Sequence, residues 1–196
     1  MTDGRLKTLL VAGMQDMLGA DRQLLKAFPR LARAATDREV RKLCREGVDY
    51  TEERIARIER GLRLLGVVRP RARRSPAMGG LIEEAMDAVH GSLAEDRDAA
   101  ILGSVQKISH YGRAGYWMLC GYAEALHERK TKAMLLKSLK EKEEAIRDMM
   151  KMAESDIVPG LARDDRVRVG RAQRGISEKR AAGRSRPGRS RRRRAA

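Results

Sequence analysis

Four stretches of the chain repeat apolar positions at steps of three and four, the spacing that lines one face of a helix. The first, from about Thr2 to Ala34, has the seam Met14, Met17, Asp21, Leu24, Phe28 and Leu31, with Pro29 a candidate kink. The second, Asp37 to Leu65, turns Val40, Leu43, Gly47, Thr51, Ile55, Ile58, Leu62 and Leu65 inward. Thr36-Asp37-Arg38-Glu39 reads as a capping box at its start, and Gly66 as the glycine that closes it. The third, from Glu95 to His127 after a second capping-box match at Ser92, carries Leu102, Val105, Ser109, Gly112, Tyr116, Leu119, Ala123 and Leu126. The fourth, Lys130 to Glu154, faces Leu135, Leu139, Lys142, Ile146, Met149 and Ala153 inward.

Loop lengths choose the topology. A couple of residues join the first pair of helices, and likewise the second pair, so each pair is antiparallel. About thirty residues separate the second long helix from the third: a basic loop, GVVRPRARRS (66–75), then a short helix from Pro76 to about His90. That length returns the chain to the far end of the bundle before it starts again. The expected fold is therefore all-α, a four-helix bundle with one long crossover containing a short fifth helix. An up-down bundle is the competing topology, and the lack of internal self-similarity argues against a helical repeat array.

Composition agrees, with 3% aromatic residues, ten methionines and no alternating strand-like run. No segment approaches the roughly 18 apolar residues of a membrane span, and the start lacks the cleavage region of a signal peptide. A cytoplasmic protein with no membrane insertion is expected. Cys44 and Cys120 fall on separate helices without a CxxC spacing and read as buried free thiols.

The net charge of +16 is unevenly placed. From Arg163 onward fourteen Lys and Arg face three acids, so about +11 sits in the last segment and about +5 in the body. Helical periodicity stops after Pro159, which divides the chain into a bundle (1–156) and a basic, Arg-rich tail (157–196) with the composition of disorder. The tail has no aromatic residue to stack on bases, so its chemistry is phosphate neutralisation. Arg184, Arg186, Arg189, Arg191, Arg192, Arg193 and Arg194 are the candidate contacts to DNA or RNA, without sequence preference and with nucleoid association as a consequence. Another acidic partner, or a purely solubilising role, are the alternatives.

Five segments then bear on family: QLLKAFPRLARAA (23–35), RIERGLRLLG (57–66), PAMGGLIEEA (76–85), DAAILGSVQKISHYGRAGY (98–116) and LLKSLKEKEEA (135–145). In order and spacing they resemble the YciE/YciF-like family of bacterial ferritin-like proteins over about residues 5 to 155. The resemblance implies a ferritin-like fold, a homodimer, a stress-response role, and a carboxylate-rich di-metal site with ferroxidase-like activity.

A di-metal site needs about four to six carboxylate or imidazole ligands converging from four helices. By that resemblance, Ala20-Asp21-Arg22-Gln23 keeps a carboxylate where the family has Glu, and Tyr50 precedes Thr51 where the family has Glu. Ser109-His110-Tyr111-Gly112 replaces a Glu-His-Tyr-Glu run. Lys140-Glu141-Lys142-Glu143 replaces Asp-Glu-Glu-Lys, with Ile146 at a later Asp position. Asp21 and Glu141, helped by Glu53, are the remaining candidate metal ligands, while Tyr50, Ser109, Gly112, Lys142 and Ile146 are the substituted positions.

The expectation is that no cofactor is held and that Lys142 or Arg54 is the counter-charge for Asp21, since a buried charge needs a partner. The enzyme alternative is an iron or manganese oxidase or peroxide scavenger, and a structural homodimer is a third reading. Glu124 and His127 match the Glu-x-x-His of di-iron bundles, but their place at a helix end favours an interaction of His127 with the helix dipole, as for His90. His110 shares an outer face with Gln106, Arg113 and Trp117. No Ser-His-Asp set or phosphate-cradling glycine loop is readable.

Overall fold

The computed structural model describes residues 3–94 and 96–163. Among these are five α-helices and no strand: α1 (Asp3–Ala34), α2 (Arg38–Leu64), α3 (Pro76–Gly91), α4 (Arg97–Ala125) and α5 (Arg129–Met152), the last running into a π-helical turn, Ala153–Ile157. The chain divides into a unit Met1–Ile157 that holds these elements and a unit Val158–Ala196, of which residues 158–163 are helical. The candidate nucleic-acid contacts Arg184, Arg186, Arg189 and Arg191 to Arg194 lie outside the described residues.

The main packing pairs are α1 with α2 and α4 with α5, and the two pairs join through α1 against α4 and α2 against α5. Both joins are antiparallel. Gly13 of α1 faces Leu119 of α4, while Thr36, just beyond α1, meets Asp98 at the start of α4. Likewise Arg57 of α2 meets Glu141 of α5, and Gly61 faces Thr131. An up-down bundle would instead run α1 and α4 parallel. The observed order is the ferritin-like four-helix bundle with one long crossover, with α3 as the short fifth helix packed on α4 and α1.

The crossover is seated by backbone contact. The Arg73 N–H donates to the Gln15 carbonyl at 3.0 Å, and a Cβ on Gly19 would stand 1.5 Å from the Arg73 carbonyl oxygen. Only glycine lets the two backbones approach this closely. Two residues on, the Ser75 N–H donates to Gln23 Oε1 at 2.9 Å, and its hydroxyl lies 3.0 Å from the Tyr111 hydroxyl. The Ser75 hydroxyl also accepts from the Met78 amide at 3.2 Å, which makes Ser75 the N-cap of α3.

Tertiary contacts move some boundaries from the sequence expectation. Asp37, not Thr36, caps α2, accepting from the Glu39 and Val40 amides at 2.8 and 3.0 Å. Thr36 instead gives its amide and hydroxyl to the Asp98 carboxylate, which also accepts from the Asp37 amide. Ser92 does not open α4; its hydroxyl donates back to the Ala88 carbonyl at 2.5 Å, and α4 begins two residues later than Glu95. His127, expected as the last residue of that helix, lies beyond its end at φ 54°, and Gly66 follows α2 at φ 91°. The seam of α2 is also broader than expected. Cys44, Arg54 and Gly61 are buried while Leu43 and Ile55 are half-buried, because α2 packs on α1 and α5 at once.

Both cysteines are buried and free. Burial, with the Asp98 carboxylate adding to it, pushes the Cys44 thiol up to about 12, and burial also raises Cys120. No helix among the described residues is long and apolar enough to cross a membrane.

Two apolar clusters fill the bundle. One gathers Phe28, Leu31, Val40, Met78, Ile101, Val105, Ile108 and Met149; the other gathers Leu10, Met14, Leu18, Ile58, Leu62, Leu119 and Leu135. Gly19→Ala is expected to lower unfolding free energy by about 1–3 kcal/mol because backbone must move. Gly103→Ala, exposed on α4 with open space around it, should raise it by about 0.5–1 kcal/mol. Urea denaturation followed by circular dichroism distinguishes the two signs.

Candidate functional site

Between the two apolar clusters the inward positions turn polar. Asp21 on α1, Thr51 and Arg54 on α2, Ser109 on α4, and Ser138 and Lys142 on α5 are all buried. Each lies on its helix's inward face, so folding of the apolar seams carries them into the middle of the bundle.

Asp21 is 1% exposed and held from two sides. The Tyr116 hydroxyl donates to its Oδ2 at 2.5 Å, and Arg54 Nε lies 3.7 Å from its Oδ1. Of the two cations expected beside Asp21, Arg54 forms the pair. Arg54 is fixed in turn by a hydrogen bond from its Nη2 to Thr51 Oγ1 at 2.6 Å, and the Thr51 hydroxyl donates to the Gly47 carbonyl at 2.6 Å. Burial and the Asp21 charge hold the Tyr116 phenol well above its usual range, so it stays a proton donor.

Glu141 is engaged elsewhere. Both its oxygens accept from Arg57, at 2.6 Å each, in a fork pairing that is mostly shielded from solvent. Glu53 points outward, 60% exposed, and reaches Arg57 and Lys137 at 3.7 and 3.8 Å. The three candidate acids are therefore held by cations, Asp21 by Arg54 and both Glu141 and Glu53 by Arg57, rather than aimed at one point. Among the described residues no three His, Cys, Asp or Glu side chains are grouped to hold a metal ion. As placed, this donor set does not fit a metal pair, which needs four to six converging ligands.

The substituted positions go three ways. Tyr50 is 49% exposed, Ile146 joins the apolar core, and Ser109, Gly112 and Lys142 remain in the polar layer. Lys142 lies across Gly112, where a Cβ would come 2.9 Å from Lys142 Cε. Burial, with Arg54 adding to it, lowers Lys142 to about 7, although Asp21 and Glu141 pull the other way. Glu124 is turned to Lys132, which holds its carboxyl below the usual range, and it is not part of the layer. His90, His110 and His127 are exposed. Sequence reasoning missed Arg57. Its signal was the run of polar residues at 51, 54 and 57 on an otherwise apolar helical face.

A buried polar layer inside a four-helix bundle with one long crossover defines the class of ferritin-like proteins. The family model described as Domain of unknown function (DUF892) matches residues 5–162. Protein YciF of Escherichia coli (strain K12) is 33% identical over 133 residues, spanning 67% of this chain and 80% of that protein. The crystal structure of the E. coli stress protein YciF superposes with a TM-score of 0.74 at 27% identity, over 78% of this chain and 96% of that one. YcfI from Rhodopseudomonas palustris gives 0.70 at 30% identity, over 74% and 92%. The chain belongs to this YciE/YciF-like family.

The charged layer sets a pH dependence. Lys142 titrates near 7 when folded against 10.5 when unfolded, so between those values the unfolded chain binds one more proton and stability rises with pH. Below about pH 7 both forms are charged and the burial penalty is constant. Lys142→Met should remove that rise and stabilise the protein by about 1–4 kcal/mol near neutral pH. Arg54→Met, which leaves Asp21 without its cation, should cost about 3–5 kcal/mol. Urea titrations of parent and variants across the window give both numbers, and a parent-minus-variant difference that is flat with pH contradicts the assignment.

Proposed function

We propose that this chain is a ferritin-like stress-response protein in which side-chain cations stand where relatives would hold metal, and that it is not an oxidase. The observation that carries the reading is Asp21 locked between Arg54 and Tyr116 with Lys142 buried in the same layer. The Arg54 guanidinium, joined by Lys142 whenever that amine is protonated, repels an incoming metal ion, and Asp21 and Glu141 are already paired with cations. The stress role follows the E. coli relative, described as a stress protein. The protein works as a cytoplasmic homodimer whose Arg-rich tails hold nucleic acid, the pair of tails raising the effective concentration of the second contact.

Metal analysis by mass spectrometry, after incubation with Fe(II) or Mn(II), should give well under one ion per chain. Stoichiometric iron or manganese that disappears in Asp21→Asn would instead establish the di-metal oxidase reading. For the tail, gel shifts compare the full chain with one truncated after Ile157, with light scattering giving subunit number. The full chain should bind duplex DNA with log K falling against log salt at a slope near −7, for about eight arginines engaged. Equal affinity of the truncated chain would remove the tail from the mechanism.

A further inference from the structure

A cavity of about 270 Å³ opens between α2 and α5 and reaches inward to Phe28 of α1 and to Val105 and Ser109 of α4. That volume is just below the usual range of ligand pockets, roughly 300–1,000 Å³, and suits a small ligand. Its inner end is formed by Arg54, Lys142 and Ser109, which are 3%, 3% and 4% exposed. Its walls are mixed: Phe28, Val105, Met149 and Met152 supply the apolar part, and Tyr50 and Glu141 also line it.

At that inner end donors outnumber acceptors. Lys142 and the Ser109 hydroxyl form no side-chain hydrogen bond among the described residues, whereas the nearby acceptors are engaged, Asp21 by Tyr116 and Glu141 by Arg57. Arg54 donates to Thr51, and its Nε is buried with no hydrogen-bond partner. Charge is unbalanced in the same sense. Arg54 lies beside Asp21 and Arg57 is shared by Glu141 and Glu53, while among the described residues no acid stands within ion-pair distance of Lys142. The mouth has the opposite sign, with Glu39, Glu46, Glu144 and Asp148 against Lys42.

We propose that this cavity binds a small monocarboxylate with an apolar body, its carboxylate accepting from Lys142, Arg54 and Ser109 and its chain lying along the Phe28 and Met149 walls. The carboxylate supplies a counter-charge at ion-pair distance from Lys142, among side chains that are almost fully shielded from solvent, where a charge-assisted hydrogen bond is strong. The acidic mouth disfavours multiply charged anions. The inference rests on the reading that side-chain cations, not metal, occupy the layer.

The test is isothermal titration of the full chain with hexanoate and, separately, with inorganic phosphate, on samples whose metal content is measured. Hexanoate should bind saturably at one per chain and phosphate should not. Lys142→Met, expected to fold with higher stability, should weaken hexanoate by about tenfold or more, the worth of one charge-assisted hydrogen bond. Ser109→Ala should weaken it by a smaller factor, and circular dichroism verifies that each variant is folded. Metal-free protein that shows no saturable hexanoate binding, binds phosphate as well, or binds equally with Lys142→Met overturns the anion site alone. Stoichiometric metal in the parent overturns the reading beneath it.

Discussion

A carboxylate buried in the middle of a helical bundle must have a cation within reach, and this requirement organises the molecule. Asp21 on α1 is paired by Arg54 on α2 and hydrogen-bonded by Tyr116 on α4, so one group ties three helices at one level. Slipping α2 by one turn would carry Arg54 about 5.4 Å along the axis. Both charges would then be stranded in a low-dielectric interior at a cost of several kcal/mol. The apolar clusters above and below tolerate rearrangement better, because one methyl group substitutes for another more readily than a lost counter-charge is replaced.

Replacements in this layer act together. With no side chain at Gly112, space opens on the face of α4 that Lys142 crosses, and any Cβ there would meet the lysine stem. A lysine on α5 and a glycine on α4 are thus two halves of one packing solution. The Arg57 and Glu141 fork closes the neighbouring side by the same logic, a cation on α2 absorbing the acid that remains on α5.

The bundle is also asymmetric about the layer. On the side of α1 and α4 the crossover lies against the helices, with Arg73 on Gln15 and Gly19, and Ser75 between Gln23 and Tyr111. Those anchors flank Asp21 and Gly112 in sequence, so the crossover backs the polar layer. Among the described residues, the side of α2 and α5 has no such cover. The cavity is there, and it gives the layer its access to solvent.

The sequence by itself determined what is local and periodic. The apolar seams, the glycine closing α2, the loop lengths that select one long crossover, and the inward aspect of Asp21, Ser109, Gly112 and Lys142 follow from steps of three and four and from chain reach. Partners far apart in sequence needed the tertiary structure. Periodicity says that Asp21 faces inward but not which cation meets it, and nothing in it links Arg57 to a glutamate 84 residues away. The caps show the same limit: Thr36 and Ser92 satisfy the capping pattern, yet Asp98 draws Thr36 away and Ser92 turns back onto α3. Rotation of each helix about its axis and the reach of long side chains across the core decide these pairings, and both are fixed only when all four helices pack.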